Sequence, residues 1–88
     1  EKPTYTLVIK DHRFIPDVVK VKAGEAFRLE IDNQDATAEE FESHELKREK
    51  VIAGNTKSKI LIPALTPGEY PFFGEFHMKT AQGKIVAE

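Results

Sequence analysis

Apolar and polar residues alternate along this chain in short stretches, and turn residues separate the stretches. In YTLVIK, Tyr5, Leu7 and Ile9 alternate with Thr6, Val8 and Lys10, the two-residue period of a strand with one buried face. Val19 and Val21 alternate with Lys20 and Lys22 before a turn at Ala23-Gly24. The clearest strand is AFRLEIDN, with Phe27, Leu29 and Ile31 inward and Arg28, Glu30 and Asp32 outward. KSKILIPAL puts Ile60 and Ile62 on one face, and EYPFFGEF and GKIVAE supply two further strands. Between them, Thr66-Pro67-Gly68 suits a turn with Pro second and a left-handed Gly third. Pro16 cannot donate to a sheet ladder, so it marks an edge or a turn.

The stretch DATAEEFESHELKREKVIAGN breaks this pattern, being charged and without strict alternation. Thr37-Ala38-Glu39-Glu40 has the form of a capping box, which predicts a short helical turn. The alternative is an irregular excursion that returns as a strand near Val51. Short strands with turns between them, and no long amphipathic helix, predict an all-β sandwich of about seven strands. The short irregular or helical insertion falls around residues 37–48. There is no internal repeat, low-complexity tract or linker, so residues 1–88 read as one domain.

Composition narrows the function classes. A chain of 88 residues is only marginally stabilised by burial, and without Cys it has no disulfide to help. A bound metal would therefore add to its stability. The net charge of −2 gives no basic footprint for nucleic acid or an anionic membrane, and Lys47, Arg48 and Lys50 form only a short solvated cluster. No apolar run approaches the ~20 residues that a membrane helix needs, so direct membrane insertion is not expected. The polar start, EKPTYT, is read as the processed end of a secreted chain. No phosphate loop and no nucleophile–base pair is present.

Several motifs together resemble the cupredoxin framework. They are F-x-P at Phe14 to Pro16, V-x-V-x-A-G at Val19 to Gly24, a strand from Phe27 ending in Asn33, P-G-x-Y from Pro67, and a closing G-x-I-V. The order spans nearly the whole chain, and the resemblance implies a Greek-key sandwich. In blue-copper members of that family one His follows the Asn-ending strand, and the C-terminal loop supplies Cys, His and Met. The thiolate and two imidazoles make the blue site. Here the Cys position resembles Gly74 and the His position is filled by His77, while the axial Met position falls near Ala81 or Gln82 and Met78 sits elsewhere. Without the thiolate the protein should not be blue. The phrases EEFESHEL and GEFHMKTAQGK are similar to those of the small periplasmic cupredoxin-like proteins that accompany bacterial ferrous-iron permeases of the Ftr type. They are also similar to the cupredoxin-like part of the periplasmic component of elemental ferrous-iron transport.

The resemblance implies that three loops gather at one end of the sandwich, and each holds one of the three histidines, His12, His44 and His77. Imidazole suits copper, iron and zinc alike. His77 is the first candidate ligand, because it matches a family ligand position. His44 lies where the family places its first His. His12 is the weakest of the three and could instead orient a ligand. Glu39, Glu40, Glu42, Glu45 and Glu75 surround these positions, and Glu42 and Glu45, flanking His44, are the carboxylates chosen as ligands. If Phe41 points into the core, Glu40 and Glu42 lie on the opposite face. Phe76 is placed as a cover over the site, and Met78 as packing.

The expected centre is thus a type-2-like copper or iron site of imidazole and carboxylate. It implies a periplasmic metal-binding protein that assists ferrous-iron uptake, by transfer or by oxidation, with periplasmic or membrane uptake proteins as partners. A mononuclear site cannot reduce dioxygen fully by itself, which argues against a free-standing enzyme. The rival readings are an interaction module without a metal, and a metal buffer or chaperone.

Overall fold

The computed structural model describes residues 2–88. Nine strands run through them: β1 Thr4–Lys10, β2 Arg13–Ile15, β3 Val18–Val21, β4 Phe27–Asn33, β5 Glu39–Ser43, β6 Arg48–Ile52, β7 Thr56–Ile62, β8 Gly68–Phe73 and β9 Gln82–Ala87. A 3-10 turn at Glu75–His77 separates the last two. One sheet has the order β2-β1-β4-β7 and the other β3-β9-β8-β5-β6. Strand β1 runs parallel to β4, with Leu7 beside Ile31, and β3 runs parallel to β9, with Val19 beside Ile85. The remaining neighbours are antiparallel. The all-β sandwich expected from the alternation is what forms. The count exceeds about seven because Arg13–Ile15 and Glu39–Ser43 add short strands that the alternation does not announce.

The two-residue period explains the core. Leu7 and Ile9 from β1, and Phe27, Leu29 and Ile31 from β4, are buried against Phe41, Phe72 and Ile85 of the facing sheet. Phe14 packs edge-on against Phe72 at 5.1 Å and against Phe41 at 6.1 Å. Edge-to-face contacts at such distances add to area burial.

Two local expectations are corrected. No helical turn or irregular insertion forms at 37–48. Instead β5 and β6 pair as a hairpin, from Glu39 opposite Ile52 to Ser43 opposite Arg48. Burying Phe41 as a strand residue overrides the capping-box signal. The carbonyl of Thr37 accepts from the Asn33 side chain at 2.9 Å, and the Glu40 side chain turns to the outer face. The EYPFFGEF strand stops at Phe73, since Gly74 leads into the 3-10 turn.

Candidate metal centre

Three segments converge at one end of the sandwich. The first is the two-residue turn Asp11-His12, which joins β1 to β2 with Lys10 paired to Arg13. Both residues are left-handed, at φ 53° and 59°, as the twist of a tight hairpin requires. Asp and His tolerate that region better than most residues. The Asp35 carboxylate ties the turn down, accepting the amide of Asp11 at 2.8 Å and that of His12 at 2.9 Å. Burial works to raise the Asp35 pKa. The two amide bonds, with charge at His12 and Lys10, outweigh it and hold the carboxyl below its ordinary value.

The second segment is the loop from Gly74 to Ala81. Its backbone closes on itself through Gly74 N–H to the Ala81 carbonyl and Ala81 N–H to the His77 carbonyl, both at 2.8 Å. Thr80 Oγ1 donates to the His12 carbonyl and so joins this loop to the first. The His12 and His77 rings stack with centroids 3.6 Å apart and planes 15° from parallel.

The third segment is the start of β5. Because Phe41 faces the core, Glu39, two residues earlier, faces inward too. It is 1% exposed. Its Oε2 accepts the Glu40 amide at 3.0 Å, and its Oε1 lies 2.6 Å from His77 Nδ1. The hydrogen-bonded amide and imidazole are what make burial of this carboxylate tolerable. Donor atoms of His12, Glu39 and His77 all fall within 4.8 Å of one another.

Gly74 explains the missing thiolate in physical terms. A Cβ placed there would lie 2.8 Å from Glu39 Oε2 and 2.9 Å from the Ala81 Cβ. The space that a side chain at 74 would use is filled by the Glu39 carboxylate. The donor set is therefore two imidazoles and one carboxylate, which suits oxidised copper, iron or zinc and does not suit a blue copper centre. A cation entering there would take the place of the Glu39–His77 hydrogen bond.

His12 and His77, expected from sequence, come together. His44 does not join them. It sits on the β5–β6 turn with its side chain 75% exposed, and its ring lies 5.5 Å from Phe73 and 3.9 Å from Glu42. The expectation that all three histidines gather at one end fails because β5 runs as an extended strand between Glu39 and His44. Glu45 is exposed on the same turn. Glu42 faces outward, in a separate group with Glu40, Glu49 and Glu75. Burial first, then the neighbouring Glu49 carboxyl and the charges of Glu42 and Glu75, raises the Glu40 pKa to about 8. Phe76, expected as a cover, is half-exposed, as is Met78. Glu39 stood among the loop carboxylates but not among the chosen ligands, although the two-residue period from Phe41 would have placed it inward.

Comparison with known proteins adds the family context. The family model for the cupredoxin-like domain matches residues 1–87. The uncharacterized protein RP394 of Rickettsia prowazekii (strain Madrid E) is 48% identical over 80 residues, covering 91% of this chain and 64% of the relative. The chain thus spans a little under two thirds of that relative's length. Auracyanin A, a blue copper protein of the green thermophilic photosynthetic bacterium Chloroflexus aurantiacus, superposes with a TM-score of 0.85 at 15% identity, covering 100% of both chains. The metal-binding domain of the Cu(I)-exporting P-type ATPase CopA of Streptococcus pneumoniae superposes with a TM-score of 0.80 at 11% identity, covering 97% of this chain and 84% of that one. At such identities the structural likeness establishes the fold.

Proposed function

The chain belongs to the cupredoxin-like domain family, and on that premise we propose that it is a non-blue metal-binding module whose centre is held by His12, Glu39 and His77. The observation that carries this reading is the Glu39 carboxylate, which fills the space beside Gly74 and reaches His77 Nδ1 at 2.6 Å. A carboxylate buried beside a stacked pair of imidazoles is costly to retain as packing alone, and with them it offers a cation one carboxylate oxygen and two ring nitrogens. Asp35 and Thr80 hold the His12 loop in place, and Glu39 holds the His77 ring. A copper ion held there would supply one-electron redox chemistry.

The finer reading is a periplasmic protein that assists ferrous-iron uptake, by transferring iron or by taking part in its oxidation. It is supported by the resemblance of EEFESHEL and GEFHMKTAQGK to proteins of such systems and by the acidic outer face of β5, which would draw cations toward this end. Oxidation would need an electron-accepting partner, among periplasmic or membrane uptake proteins. No helix among the described residues is long and apolar enough to cross a membrane.

The test is in two steps. Cu(II), Fe(II) or Zn(II) at a hundredfold excess over its dissociation constant should stabilise the fold by about 2.7 kcal/mol. For a domain of this size that is a rise of roughly 10–20 °C in Tm. If none of the three raises Tm, the metal-binding reading is wrong and the interaction-module reading replaces it. The loss of ferrous ion is then followed with the copper-loaded and metal-free chains. Equal rates would remove oxidation and leave transfer or buffering.

A further inference from the structure

Residues 39 and 40 of β5 point to opposite faces of the sheet, as neighbours on a strand must. Glu39 enters the imidazole centre. Glu40 enters a group on the outer face, where carboxylate oxygens of Glu40, Glu42, Glu49 and Glu75 lie within 4.8 Å of one another. Glu42 and Glu49 are directly opposite across the β5–β6 ladder, a placement that is destabilising for like charges. The 3-10 turn serves both groups, with Glu75 in one and His77 in the other.

Acidic side chains crowd on many surfaces without consequence. Here a second observation separates the group from such a surface. Glu40 is only 2% exposed, and its Oε1 is buried without a hydrogen-bond partner. Leaving such an atom unpaired is costly. Neither nearby basic residue supplies the missing charge, since Lys47 and Arg48 make no ion pair with these carboxylates. The Arg48 guanidinium is spent on the carbonyls of Leu61, Leu46 and Lys47. Among the described residues, the one Lys, Arg or His nitrogen within 4.0 Å of the four carboxylates is His44 Nδ1, 3.9 Å from Glu42. A shallow groove lined by Glu42, Ser43, His44, Lys47, Arg48 and Glu49 opens beside the group.

We propose that Glu40, Glu42, Glu49 and Glu75 form a second cation site, back to back with the imidazole centre across β5, that takes a hard multivalent cation on carboxylate oxygens. All-oxygen donors select such ions, whereas the imidazoles on the other face select copper, iron or zinc. Glu42 and Glu49 line the groove, and Glu40 supplies a buried oxygen beside three more exposed carboxylates. The two sites share β5 and the 3-10 turn but no ligand.

Mn(II) tests this directly, through loss of the free-ion electron paramagnetic resonance signal on titration into the chain. The Glu42→Gln/Glu49→Gln double variant keeps the side-chain shapes and removes two charges. His12→Asn removes one imidazole from the centre without replacing a residue of the 3-10 turn, and Asn tolerates the left-handed backbone at that position. Circular dichroism first establishes that each variant folds. If the double variant does not, Glu75→Gln replaces it under the same criterion. The expected result is a site that persists in His12→Asn and weakens at least about tenfold when carboxylate charge is removed. Mn(II) binding as tight in the charge-depleted variant as in the original chain, or lost in His12→Asn, overturns the proposal.

Discussion

Asn33 ends β4 and is fully buried, and its side chain holds three segments at once. Nδ2 donates toward the carbonyls of Thr37 at 2.9 Å, Ile52 at 3.1 Å and Ala53 at 3.3 Å, while Oδ1 accepts the Asp35 amide at 3.0 Å. These bonds fix the loop that delivers Asp35 to the His12 turn and Glu39 to His77. Asn33→Ala leaves buried groups unpaired, each costing about 1–3 kcal/mol. Some carbonyls will recover water, so a total of about 2–4 kcal/mol is expected. At 4–8 °C per kcal/mol for a domain of this size, Tm should fall by roughly 8–30 °C. Asn33→Asp should cost at least as much at neutral pH, because it turns a carboxylate oxygen toward the carbonyls that now receive a donor. Urea denaturation of the two variants, read as a change in midpoint at constant slope, measures both. An Asn33→Asp cost below about 1 kcal/mol would refute the reasoning, since no buried donor could then be essential there.

Other consequences can be checked alongside. Gly74→Cys should not produce the intense thiolate-to-copper absorption of a blue centre, because its Cβ would meet Glu39 Oε2 at 2.8 Å; the overpacking should also cost about 1–3 kcal/mol, measurable by denaturation. Asp35→Asn should lose about 1–2 kcal/mol at neutral pH, as bonds to a charged acceptor are lost. Since the folded Asp35 pKa is depressed, that difference should be present above the ordinary carboxylate range and vanish as pH falls through the folded value. Glu40 has the opposite sign. Its folded pKa is raised to about 8 from 4.5, so the folded state binds the extra proton between these values and stability falls as pH rises through them. In chelator, Glu40→Gln should remove that decline, which urea midpoints across the range would reveal.

Much of the sandwich was legible because most strands bury one face. Leu7 and Ile9, or Phe27, Leu29 and Ile31, carry the period without interruption. Strand β5 was not legible as a strand. Its inward positions are Glu39, Phe41 and Ser43, so two of the three are polar. Each is buried with its own partner, Glu39 with His77 and Ser43 with the carbonyl of Pro71 at 2.7 Å. The hydrophobic signal disappears where the chain places chemistry on the core face. The same fact hid Glu39 as a ligand and drew attention to His44, which is near the site in sequence and away from it along an extended strand. His12 and His77 were legible through their loops. Their stacking, and the tie from the Thr80 hydroxyl to the His12 carbonyl 68 positions away, join loops distant in sequence, which no local pattern carries.

The central claim is a metal centre built from His12, Glu39 and His77 in place of a thiolate. The most direct measurement is a Cu(II) titration of the chain followed by electron paramagnetic resonance, with His77→Ala, His12→Asn and Glu39→Gln beside it. The account predicts a single type-2 signal, without a thiolate signature, that is lost or altered in each of the three variants and unchanged in His44→Ala. A signal from free copper alone, or one that responds to His44→Ala and not to His77→Ala, would contradict it.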